Sequence, residues 1–241
     1  MNARNLLLAA LPKDVRDRIA LTSQTVALKQ AQIVHRPGER IENVYFPLDC
    51  LISVTVTTAD VRTAEAGIVG SREMVGLNAF MGGSETNQTE YICQSPGDAV
   101  RVSAELLLRE FDSNKYVRDV MLKYTQAYIA QLSQNVACNR VHSIEQRLAR
   151  WMLECRDRLR TDDISITHEF IAQMLGVRRA GISETAATLQ ARKLIEYGRK
   201  SLSIIDAPGL EAVSCGCFRV ILDEYDRLLG VGGRGSMPAP D

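Results

Sequence analysis

Residues 167–193 read THEFIAQMLGVRRAGISETAATLQARK, and the spacing within them decides the architecture of the C-terminal half. Phe170, Ile171, Met174 and Leu175 give a first helix one apolar face, and Ala172 is small where a second helix must cross closely. Gly176 offers the positive φ that ends a helix in a sharp turn. Ile182, Ala186 and Leu189 recur at i, i+4 and i+7, a single apolar stripe directed back at the first helix. Two short helices so joined predict a helix-turn-helix, with Thr167 as the N-cap of its first helix. At about 100° per residue, Ala180, Ser183 and Glu184 face outward, with Arg178 and Arg179 at the leading end, where such a helix reaches base edges. Taken alone, the segment could also be a plain helical hairpin. The next stretch discriminates: residues 194–205 read as two short alternating strands about a turn at Gly198, with Arg199 and Lys200 at its tip. That pattern predicts a β-hairpin wing carrying phosphate-seeking charge.

Working outward, the chain has 241 residues, enough for two domains or one large one, and 46% of them are apolar. Its net charge is zero, but residues 140–205 carry a surplus of four basic side chains, offset elsewhere. A surplus gathered on one module suits a phosphate footprint. No apolar run reaches the roughly 18 residues of a membrane span, and the N-terminus, MNARNLLLAALPKD, lacks the pattern of a secretory signal, so a cytoplasmic protein is expected.

Toward the N-terminus, residues 5–21 read as two short helical pieces broken at Pro12. From Thr25 the period changes to two: Val26 and Leu28, Ile33, residues 44–46, 51–56, 63–69, 91–93 and 99–102 are short strands separated by turns such as Gly82 with Gly83. Seven or eight short strands in so short a stretch mean a barrel, roll or sandwich. Residues 70–80 interrupt them with a helical turn, a place for a ligand cassette. Near Phe111 the pattern turns helical: Val117, Val120, Met121, Tyr124, Ala127, Tyr128, Leu132 and Val136 step by three and four. Such a stripe either meets a partner helix or packs along its own β domain. Ser143 to Gln146 fits a capping box opening the next helix, which Asp162 and Asp163 end. Pro208 to Leu229 reads as one closing helix, and the residues after it as a disordered tail.

Chemistry-bearing motifs are few. His35, His142 and His168 are far apart in sequence, and neither a Gly-rich phosphate loop nor a nucleophile motif appears, so the chain is not expected to be an enzyme. Six cysteines, at 50, 93, 138, 155, 215 and 217, include no C-x-x-C pair. Cys215 and Cys217 are the one close pair, and structural zinc sites favour wider spacing and a second ligand pair. No metal and no cofactor are therefore predicted.

The order of lead-in helices, β-roll with internal cassette, long helix and winged helix-turn-helix resembles the Crp/Fnr family of bacterial transcription regulators over residues 5–222. The phrases VYFP at 44–47, GSREMVG at 70–76, ACN at 137–139, RLARW at 147–151 and EFIAQMLGVRR at 169–179 are similar to those of one large branch. The resemblance implies an α+β chain with a cyclic-nucleotide-binding-like β-roll at 1–110, a long dimerisation helix at 111–142, a winged helix-turn-helix DNA-binding domain at 143–228 and a tail at 229–241. It further implies a homodimer, joined through Val117, Val120, Met121, Tyr124, Tyr128 and Leu132, acting on palindromic double-stranded DNA with RNA polymerase as a partner. An effector would act at the cassette residues Gly70, Arg72, Glu73, Gly76 and Leu77. Relatives that bind cyclic AMP use a cassette glutamate and a later arginine; here Leu77 follows Gly76, and no Lys or Arg occurs between Glu73 and Val100. A buried phosphate without a cation is costly, so cyclic AMP is not expected to bind and the effector is unknown. The other reading is a small-nucleotide signalling module that does not touch DNA.

Overall fold

Asn5 fixes the start of the chain: its carboxamide oxygen accepts from the Leu8 amide at 2.9 Å while its nitrogen donates to the carbonyls of Pro47 and Glu73 at 2.9 and 2.8 Å. In this computed structural model, which describes residues 4–60, 63–82, 88–198 and 201–230, that cap opens α1 (Leu6–Ala9), followed by α2 (Lys13–Thr22). Seven strands come next: β1 (Gln24–Leu28), β2 (Ile33–His35), β3 (Asn43–Pro47), β4 (Leu51–Thr57), β5 (Thr63–Val69), β6 (Thr89–Ser95) and β7 (Gly97–Ser103). They pair antiparallel in two sheets, ordered β1-β7-β3 and β2-β6-β4-β5. Val44, Phe46, Ile52, Val54 and Val102 fill the space between them, as period-two alternation requires. The interruption is real: residues 70–76 run as loop and turn, and Leu77–Phe80 forms one 3₁₀ turn entered through Gly76 at φ 95°.

Two helices follow where one was expected. α3 (Ala104–Ser113) stops at Asn114, which is extended and whose side chain accepts from the amides of Tyr116 and Val117 to start α4 (Lys115–Val141). The long helix thus begins at Lys115, not Phe111, and its 27 residues span about 40 Å. Its expected dimer stripe needs correction. Val117, Met121 and Tyr124 are fully covered, Tyr128 is buried, and all four belong to the same apolar cluster as Phe46 and Ile52, with Val120 and Leu132 packed at its margin. The Tyr124 hydroxyl donates to the Met74 carbonyl at 2.8 Å. The stripe faces the β-roll because two sheets with open ends leave apolar surface that the nearest long helix must cover.

Beyond α4, Ser143 and Gln146 cap α5 (Ile144–Leu159) reciprocally, as a capping box does. Arg160 ends α5 in the left-handed region, and Asp163 opens a strand rather than closing the helix: β8 (Asp163–Ser165). Then come α6 (His168–Leu175), α7 (Arg179–Ala191), β9 (Ile195–Tyr197) and β10 (Ser201–Ile204), with the three strands ordered β8-β10-β9. The expected single closing helix is two, α8 (Ala207–Val213) and α9 (Cys217–Leu229), separated by an extended Ser214 and by Gly216. The break lets α9 fold back along α4, where Ile221 and Tyr225 enter the β-roll core. Reciprocally, Leu51 and Ile68 of the roll enter the core built on Trp151, Ile171, Ile182 and Leu202. No described helix is long and apolar enough to cross a membrane. Gly83, the wing-tip residues Arg199 and Lys200, and the tail from residue 231 lie outside the described residues.

Candidate nucleic-acid interface and the seam behind it

The helix-turn-helix forms for the reasons its spacing gives. Thr167 Oγ1 accepts from the Phe170 amide at 3.3 Å and caps α6, and Gly176, at φ 62°, ends it. Ile182, Ala186 and Leu189 of α7 are buried against Ile171, Ala172 and Leu175 of α6. That packing fixes the rotation of α7, leaving Arg178, Arg179, Ala180 and Glu184 exposed along its leading face. Arg179 lies 3.8 Å from Glu169 across the turn, with both side chains largely exposed, so the pair is weak and the guanidinium remains available. Among the described residues no cation pairs with Glu184.

Ser183 behaves differently from its neighbours. It is half-buried, and its hydroxyl lies 3.1 Å from His168 Nδ1. His168 in turn stacks on Tyr197 of β9, ring centroids 4.0 Å apart. Burial, and then the Arg179 cation, hold the His168 pKa below its usual value. Ser183 therefore joins helix α7 to α6 and the wing instead of pointing outward; the turn of the helix between Ile182 and Glu184 brings it to the edge of the packed face. The wing itself is closed by the Gly198 amide donating to the Ser201 carbonyl at 2.8 Å, and the Tyr197 amide donates to the Gln190 side chain at 2.9 Å.

Behind this face, the expected effector cassette is occupied by the protein's own side chains. Gly70, Glu73 and Gly76 are buried and Leu77 half-buried. Glu73 meets Arg158 of α5 at 2.9 Å, Arg72 binds Asp157 at 2.8 Å and Asp226 at 3.3 Å, and Ser71 donates its amide to the Arg158 carbonyl at 3.2 Å. A Cβ at Gly70 would stand 2.5 Å from Arg158 Cβ, which is why only glycine fits there. Residues 70–73 thus form a seam between the roll and the helix-turn-helix half, while Gly76 lies against Val44, Ile41 and His35 inside the roll. Sequence reasoning could not see this, since Arg158 is one arginine of many on an amphipathic helix. The seam continues through Glu65, which accepts from Trp151 Nε1 at 2.9 Å and from Ser53 Oγ at 2.7 Å, and through Asn135, which accepts from Arg150 at 2.8 Å. Arg147 donates to Asn139 at 3.1 Å and also to the Leu175 carbonyl, binding α5 to both α4 and α6. Four of the five phrases singled out in the sequence, at 70–76, 137–139, 147–151 and 169–179, contribute to this seam, while residues 44–47 pair with β7 and Val75 inside the roll.

One further cluster lies at the C-terminal end of α4, where Cys138 and His142 meet Cys215 and Cys217. The sequence separates the two pairs by more than seventy residues, and only the break between α8 and α9 brings them together.

Residues 146–213 match the Crp-like helix-turn-helix domain. Solved structures of similar fold include a transcriptional regulator of the crp/fnr family from Eubacterium rectale, 18% identical with a TM-score of 0.66, covering 88% of this chain and 99% of that one. FixK2 from Bradyrhizobium japonicum is 13% identical with a TM-score of 0.69, over 80% and 98% of the two chains. The c-di-GMP-responsive global regulator CLP of Xanthomonas campestris is 16% identical with a TM-score of 0.61, over 80% and 99%. No curated protein sequence matches the chain.

Proposed function

Since the chain has the fold of Crp/Fnr transcription regulators and carries a Crp-like helix-turn-helix domain at residues 146–213, we propose that it is a DNA-binding transcription regulator acting as a homodimer on inverted-repeat sites. The observation that carries this reading is the exposed leading face of α7. Arg178, Arg179, Ala180 and Glu184 stand clear of a helix whose opposite side is locked into a core. An arginine there suits guanine O6 and N7, and a carboxylate suits the cytosine amino group. Thr167, at the start of α6, and the wing residues Arg199 and Lys200 are assigned to phosphates.

The homodimer is assigned to the face of α4 that the roll leaves uncovered. Leu122, Ile129 and Val136 repeat every seven residues and are 51%, 54% and 72% exposed. A heptad seam on a long helix is matched by the same seam on a second copy, with apolar burial worth about 25 cal/mol per Å². This replaces the stripe read from sequence, which the roll consumes.

A nucleotide-signalling module without DNA contact is the weaker reading, because the cassette is filled by Arg158 and its neighbours. No signal is assigned to the roll. Selection of bound sequences from random DNA tests the proposal: enrichment of an inverted repeat with half-site centres about 34 Å apart supports it, and no enrichment opposes it.

A further inference from the structure

We propose that Cys138, His142, Cys215 and Cys217 bind one zinc ion in a closed Cys3His site that ties the C-terminal end of α4 to α9. The four ligand atoms all lie within 4.8 Å of one another. Cys138 Sγ and Cys215 Sγ are 3.5 Å apart, and Cys217 Sγ is 3.6 Å from His142 Nδ1. In a tetrahedron with Zn–S near 2.3 Å and Zn–N near 2.0 Å, ligand atoms stand about 3.5 to 3.8 Å apart, so both edges already match. With all four atoms within 4.8 Å, these two edges suit one ion held at the centre of the cluster.

The backbone explains how the ligands converge. Cys138 lies in the last turn of α4, and His142 is its extended C-cap, held beside Cys138 by its amide donating to the Cys138 carbonyl at 3.1 Å. Cys215 and Cys217 flank Gly216 at the start of α9, on a segment held from elsewhere: the Tyr225 hydroxyl donates to Gln131 of α4 at 2.8 Å, and Asp226 pairs with Arg72. The ligands are therefore positioned by contacts independent of the ion. All three cysteines are buried, His142 is half-buried, and no carboxylate joins the cluster. Three thiolates and an imidazole form a soft set that selects zinc over magnesium or calcium. A closed set of four, with no position left for water, marks a structural rather than a catalytic ion.

Second-layer groups fit as well. Gln134 Nε2 donates to Cys217 Sγ at 3.0 Å, a hydrogen bond that suits a metal-bound thiolate. The site stands immediately before Ser143, the cap of α5, so the ion would clamp the junction from which the helix-turn-helix half departs. The sequence spacing C-x-C gives no hint of this, because the second ligand pair comes from α4.

The test uses the full-length protein, kept reduced, with metal removed by a chelator and then titrated with Co2+ and Zn2+. The expected result is one equivalent of Co2+, with the visible bands of a tetrahedral ion and a thiolate-to-cobalt charge-transfer band, displaced by one equivalent of Zn2+. The double variant Cys215→Ser with Cys217→Ser should lose at least 100-fold in Co2+ affinity, while Cys50→Ser with Cys93→Ser should lose none. Wild-type protein gives a reading that does not depend on variants folding: Zn2+ should slow alkylation of Cys138, Cys215 and Cys217 but not of Cys155, as mapped by peptide mass. An absent charge-transfer band, affinity unchanged in the Cys215/Cys217 variant, a Cys138–Cys215 disulfide or an iron–sulfur chromophore in protein isolated without oxygen would each overturn the proposal.

Discussion

The Glu73 carboxylate and the Arg158 guanidinium stand 2.9 Å apart with neither side chain exposed, joining the cassette of the β-roll to the helix that leads into the helix-turn-helix. Removing one partner leaves a buried charge without compensation, which costs about 3–5 kcal/mol. Arg158→Met should therefore lower unfolding free energy by about that amount in urea titrations. Replacing both partners, as Glu73→Leu with Arg158→Met, should cost much less than the sum of the single changes. Additive losses would mean that the pair does not act as a unit.

Glu65 gives the same seam a pH dependence. Burial pushes its carboxyl up to about 7, against hydrogen bonds from Ser53 and Trp151 and the more distant Arg150 charge. A carboxyl with a raised folded pKa holds a proton that the unfolded chain releases. Its contribution is complete below the ordinary value of 4.5 and is lost as pH rises through about 7. Because the side chain is half-buried, solvent reduces the size of the effect without changing its sign. Wild type should lose stability relative to Glu65→Gln between about pH 4.5 and 7 and then run parallel to it, in thermal unfolding followed by circular dichroism. A difference that stays flat across that window contradicts the assignment.

The covered and the exposed apolar faces of α4 should respond differently to charge. Leu122→Glu with Ile129→Glu should yield folded monomers in analytical ultracentrifugation, because these side chains are exposed and set apart from the roll core. Met121→Glu, one residue away, should unfold the roll, since Met121 has no exposure. A dimer that survives the first change would place the interface elsewhere.

How much of this was legible in the sequence follows from the range of the interactions. The helix-turn-helix depends on periodicity within 27 residues, and Gly176, Ile182, Ala186 and Leu189 take the roles their spacing assigns. The roll follows equally from alternation. What failed was the assignment of partners: Val117, Met121, Tyr124 and Tyr128 form an apolar stripe whichever surface they meet, and only the three-dimensional arrangement reveals that it is the roll. The contacts of residues 70–73 were equally out of reach, since Glu73 and Arg158 are far apart in sequence. Ser183 was misread because its neighbour Glu184 does face outward, and a single step of about 100° separates the exposed face from the edge of the covered one. The helix breaks at Asn114 and at Ser214 to Gly216 were missed because the apolar periodicity runs through both, although Asn114 is an N-cap residue and Gly216 a helix breaker.

Whether α7 reads DNA sequence is decided by measuring Glu184→Ala binding to the selected site and to a panel of single-base variants. The substitution should relax discrimination at one base pair in each half-site, worth about 1–3 kcal/mol there, and leave the other positions as in wild type. As a control, Lys200→Ala should weaken every sequence alike and reduce the salt slope by about one unit. If Glu184→Ala instead loses affinity uniformly across the panel, or wild type binds the panel without preference, α7 is not the reading helix.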